Sequence, residues 1–130
     1  MTHNLMHHSE VYEADLQGEL RSTANSIAVV GSAYADAHRE AQLAAMQVDR
    51  LEAALSLEYR AEADATGKKT TEGAVEAKIR TDPRWEAMRL AQIDADADRE
   101  RLSALLAAVK AKKDLVCQLA MIQRAEMAAS

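Results

Sequence analysis

Spacings of four and three alternate from Leu16, marking Leu16, Leu20, Thr23, Ile27, Val30, Tyr34, Ala37, Ala41, Ala44, Val48, Leu51, Leu55, Glu58 and Glu62, and eleven of these fourteen are apolar. A 3.5-residue repeat kept for about six heptads holds one helix seam toward a partner helix, so the pattern predicts a coiled-coil-like arm. Its small residues, Ala37, Ala41 and Ala44, allow close approach of that partner. Residues 1–9 lack the periodicity and are expected to be a flexible end, with Ser9 a candidate cap and the arm running over about 10–65. The run Ser22, Thr23, Asn25 and Ser26 could start a fresh helix near residue 22, although the unbroken phase favours one continuous helix.

Thr66, Gly67, Lys68 and Lys69 carry stop signals, Gly67 being the natural left-handed residue past a helix end, so a basic loop is predicted over 66–71. Thr71 can cap a short helix over 72–80, with Glu72 and Glu76 early and Val75 and Ile79 on one face. Asp82 followed by Pro83 opens a second long helix, 83–127, because proline fits the first turn and the aspartate accepts an orphan N–H. Its stripe, Leu102, Leu105, Leu106, Val109, Val116, Leu119, Ala120 and Met127, is wider than one partner needs. At a rise of about 1.5 Å per residue the arms span roughly 75 and 68 Å. The expected fold is therefore all-α: a single elongated antiparallel helical hairpin over 10–130, two long helices joined by a basic loop and a short helix, oligomerising through coiled-coil-like faces.

Composition agrees with helices and narrows the function. The 130 residues include 28 alanines, four glycines, one proline and no phenylalanine, leaving too few large side chains for a thick core. Hydrophobic surface left open on so thin a hairpin predicts a homo-oligomer. The lone Cys117 excludes an internal disulfide, and no long apolar run suggests a leader or a membrane span, so a cytoplasmic protein without membrane association is expected.

Charge divides unevenly. Residues 1–66 hold eleven acids and four bases, net −7, and residues 67–130 hold ten acids and twelve bases, net +2. Any nucleic-acid contact must therefore be local. Gly67, Lys68 and Lys69 lack the upstream glycine of a phosphate-binding loop, Glu62 standing there; Asp94, Asp96 and Asp98 lack the glycine and glutamate of a calcium loop. His3, His7 and His8 offer metal-binding side chains but no evident fourth ligand. No catalytic constellation stands out, and neither enzyme activity, nor a cofactor, nor a resident metal is expected.

Cations and aromatics do gather around the turn: Arg60, Lys68, Lys69, Lys78, Arg80 and Arg84, with Tyr59 and Trp85. Single-stranded nucleic acid is held by charges that follow phosphates and by flat side chains on which bases stack, so these six are the candidate DNA-binding residues and the two rings the candidate stacking residues. Packing of the two rings against the helices is the competing role.

The order of features over about residues 15–127 resembles the UvsY-like recombination mediators of tailed phages. The matching elements are Asp15, Leu16, Gln17, Glu19 and Leu20; Leu57, Glu58 and Tyr59 before the glycine-containing basic loop; Lys78, Arg80, Thr81 and Asp82; and Leu105, Leu106, Ala108, Val109 and Lys112. The resemblance implies a ring-like homo-oligomer, without nucleotide hydrolysis, that binds single-stranded DNA and contacts a RecA-like recombinase and a single-strand-binding protein in the host cell cytoplasm. Carried over by position, phosphate neutralisation falls to the six cations above. One departure is Ala54 and Ser56, where family members can carry bases. The rival reading is a structural or adaptor coiled-coil protein that binds only protein.

Overall fold

The computed structural model describes the backbone of residues 2–129 and the side chains of residues 14–129. The expectation attached to His3, His7 and His8 lies outside the described side chains. Three helices follow in order: α1 (Thr2–Ala65), α2 (Glu72–Arg80) and α3 (Pro83–Ala129), with no strand among the described residues. The class is the one expected, all-α, with two long helices, α1 and α3, that pack against each other within each of two units and a short helix between them in sequence.

The break considered near Ser22 does not occur, since α1 is one helix from Thr2 to Ala65. The hydroxyls there point back along the helix: Thr23 Oγ1 donates to the Glu19 carbonyl at 2.6 Å and Ser26 Oγ to the Ser22 carbonyl at 3.0 Å. A hydroxyl satisfied by the i−4 carbonyl offers no cap to a new helix. Of the fourteen seam positions on α1, all but Glu58 and Glu62 are buried or half-buried. Beyond Leu55 the covered residues become Tyr59 and Ala63, two steps of four.

The chain forms two compact units, residues 1–34 with 101–130, and residues 35–100. In the first unit, Leu16 and Leu20 pack with Ala120, Gln123 and Met127, and Lys112 Nζ lies 3.3 Å from Glu19 Oε2. In the second, a cluster of Leu55, Val75 and Ile79 is flanked by Leu51, Tyr59 and Trp85. Here α2 covers the far end of α1, which accounts for the change of spacing after Leu55.

The covered face of α3 is narrower than the sequence suggested. Trp85, Met88, Gln92, Ala95 and Arg99 are half-buried in one unit, and Leu102, Leu106, Val109, Val116, Ala120 and Gln123 are half-buried or buried in the other, at steps of three and four apart from the seven between Val109 and Val116. Leu105 and Leu119, counted with this face from sequence, stay 48% and 38% exposed, while Met127, beside Leu16 and Leu20, keeps 44%. Apolar content alone misplaced this seam because polar Gln92, Arg99 and Gln123 occupy it.

The turns follow their signals closely. Gly67 has φ +71°, Lys68 N–H donates to the Ala63 carbonyl at 3.0 Å and Gly67 N–H to the Asp64 carbonyl at 3.2 Å. This pair of bonds is a Schellman motif, closing α1 with its orphan carbonyls satisfied. Thr71 caps α2, its Oγ1 accepting from Ala74 N–H at 3.2 Å. Asp82 caps α3, its Oδ1 accepting from Arg84 N–H at 2.8 Å.

Two substitutions separate core from surface. Leu55→Ala, at 1% exposure, should lose about 2–5 kcal/mol of unfolding free energy, the usual range for truncation of a packed leucine. Leu57→Ala, at 72% exposure, should stay within about 0.5 kcal/mol of the parent in urea titrations.

Candidate nucleic-acid interface

Lys68 and Lys69 lie in the turn that the Schellman motif makes. Both are exposed, and neither takes part in an ion pair among the described residues. The residues that close α1 thus also project two ammonium groups from the chain reversal. Lys69 shares a shallow depression with Arg60, Asp64, Thr70 and Glu72.

The remaining cations divide among different surroundings. Lys78 Nζ stands 5.7 Å from the centroid of the Tyr59 ring, within cation–π reach. Arg80, two residues on, lines a groove of about 420 Å³ together with Arg60, Asp49, Glu52, Glu72 and Glu76. Arg60 Nη2 is 3.6 Å from Glu72 Oε1, an exposed pair of small energetic weight. Four carboxylates against two guanidiniums make that groove unfavourable for phosphate.

Arg84 is the most committed cation. Its Nη2 and Nε donate to Asp82 at 2.9 and 3.1 Å, and its Nη1 and Nη2 to the Glu58 carboxylate at 3.1 and 3.3 Å. Asp82 is buried and also accepts a hydrogen bond from the Tyr59 hydroxyl. One carboxylate therefore caps α3, binds Arg84 and holds α1 through Tyr59. The Arg84 hydrogen bonds, with help from Tyr59, pull the Asp82 carboxyl well below the usual carboxylate range. The same Tyr59–Asp82 bond, with burial, pushes the Tyr59 phenol up, and the two carboxylates raise Arg84. A phosphate approaching Arg84 would compete with both acids.

The two aromatic side chains have partners of their own. Trp85 is half-buried beside the Leu55, Val75 and Ile79 cluster, and its Nε1–H donates to Glu52 Oε1 at 2.9 Å. Tyr59 packs on the same cluster while its hydroxyl reaches Asp82. Both rings thus take part in packing, and the cations form no single patch. The sequence reading missed Glu52, Glu58 and Asp82 as partners of the aromatic and basic residues; only the capping role of Asp82 had a sequence signal. Elsewhere, Asp96 pairs with Arg99 at 3.6 Å, one turn along α3, both half-buried.

Asp82 supplies a pH-dependent contribution to stability. A depressed folded-state pKa means that its contribution is fully present above the ordinary value of about 4 and fades as pH falls below it. Asp82→Asn should flatten the fall in stability between about pH 5 and pH 2 seen in urea titrations of the parent protein. No protein-family model matches the chain, and neither a curated protein nor a solved structure shows significant similarity to it.

Proposed function

We propose that this protein is a non-enzymatic, homo-oligomeric recombination mediator that holds single-stranded DNA and helps a RecA-like recombinase replace a single-strand-binding protein. The observation that carries the reading is the chain reversal itself, where Lys68 and Lys69 stand exposed and outside any ion pair among the described residues, Lys69 beside Asp64 and Glu72 in a shallow depression. Lys78, exposed on α2 beside the Tyr59 ring, extends the same chemistry. The order of sequence features from Asp15 to Met127, similar to that of UvsY-like mediators, supplies the recombinase and the coating protein as partners.

Contacts of this kind are weak in one protomer. A strand that touches several copies gains avidity of about a hundredfold or more, so repetition offsets the net charge of −5. In this reading Lys68, Lys69 and Lys78 neutralise phosphates, Arg60 and Arg80 contribute at the margin of their acidic groove, and Arg84 chiefly joins helices. Salt-sensitive contacts suit a protein that must pass a strand to another.

The second reading, an adaptor that binds only protein, draws on the groove beside α2, where Asp49, Glu52, Glu72 and Glu76 outnumber Arg60 and Arg80. Titration of labelled single-stranded DNA at low and moderate salt separates the two. With three lysine contacts per protomer, the slope of log affinity against log salt should be about −2 for each protomer engaged, falling to about −0.7 for each when Lys68 and Lys69 are both changed to Ala. Absence of binding at low salt rejects the mediator and leaves the adaptor.

A further inference from the structure

The α3 residues of the first unit carry a second apolar stripe that nothing in the unit covers. Leu105, Leu115, Leu119 and Ile122 are 48%, 58%, 38% and 56% exposed. With Ala108 and Lys112 they follow one another at steps of three, four, three, four and three. This is a seam repeat, distinct in phase from the one facing α1 through Leu102, Leu106, Val109, Val116 and Ala120. A straight 3.5-residue stripe is matched by another helix rather than by a flat surface.

The spacing reads the same in both directions. We propose that this face of α3 binds the same face of a second copy of the chain, antiparallel, about a two-fold axis level with Lys113 and Asp114. In that register Leu105 meets Ile122 of the second copy, Ala108 meets Leu119, and Lys112 meets Leu115, each contact occurring twice. At the next layer Arg101 of one copy falls opposite Glu126 of the other, so both ends of the stripe are matched in charge. A parallel alignment would instead set Arg101 on Arg101 and Glu126 on Glu126.

The surroundings favour a helix over a lipid surface. Along one edge run Ala104, Ala111, Gln118 and Ala125, all exposed, small or uncharged. They permit close approach of a helix and lack the basic rim of a membrane-surface helix. Lys112, the one charge within the stripe, has its ammonium drawn aside by Glu19 at 3.3 Å, which leaves its methylene stem over the apolar residues. From Arg101 to Glu126 the contact runs for about 38 Å at the helical rise. Such a contact is isologous and closes at two copies. It stands on α3 alone and is tested without DNA.

Sedimentation over a range of concentrations, combined with cysteine cross-linking in a Cys117→Ala background, tests the pairing. Ala108→Cys protein mixed with Leu119→Cys protein should form a disulfide-linked heterodimer on oxidation, whereas neither should cross-link alone. In the antiparallel register two copies of position 108 stand about 16 Å apart along the axis, beyond disulfide reach. Leu115→Lys sets two lysines face to face twice and should weaken self-association at least tenfold with helicity unchanged. Leu115→Glu should weaken it less, because the new acid meets Lys112. A monomer at every concentration, cross-linking of Ala108→Cys alone, or a dimer indifferent to Leu115→Lys would overturn the proposal.

Discussion

The buried carboxylate of Asp82 ties the chain reversal together. A charged group taken from water is costly unless its oxygens are fully engaged, and here one side chain accepts from the Arg84 backbone, the Arg84 guanidinium and the Tyr59 hydroxyl. These bonds start α3 and fasten it to α1. Arg84 then extends the connection to Glu58, and Trp85, next in the chain, reaches Glu52. The apolar cluster of Leu55, Val75 and Ile79 completes the junction from α1 and α2. Polar engagement and apolar burial thus act within the same few turns.

That arrangement bears directly on nucleic-acid binding. A basic residue in a sequence counts as one positive charge, but its field at the surface depends on the acids beside it. Arg84 is engaged by two carboxylates, and Arg60 and Arg80 share a groove with four. The turn lysines are exposed and outside any ion pair among the described residues, in the turn where Gly67 reverses the backbone in a left-handed conformation. A backbone requirement of helix termination therefore places the charges on which the mediator reading depends.

Both arms obey a seam geometry, with different consequences. The α1 seam is made of Leu, Val, Ile and Ala with few interruptions, whereas that of α3 admits Gln92, Arg99 and Gln123 and leaves several leucines outside. Hydrophobic area outside the intramolecular seam can contribute to stability only if something else covers it. The second stripe on α3 has that character.

Sequence alone determined the three helices and the turns between them, though not the start of α1, which runs from Thr2 rather than from a cap at Ser9. Gly67, Thr71 and the Asp82–Pro83 pair act through bonds within a few residues, so their signals are local, and the heptad phase of α1 is long enough to name its covered positions up to Leu55. Tertiary structure decided which face of α3 is covered, that Tyr59 and Ala63 replace Glu58 and Glu62, and which cations are engaged. Those outcomes join residues far apart in the chain, such as Tyr59 with Asp82, Trp85 with Glu52 and Glu19 with Lys112. No periodicity encodes such pairs: they arise only when the turn through α2 brings α1 and α3 side by side, and local charge or hydropathy is blind to that meeting.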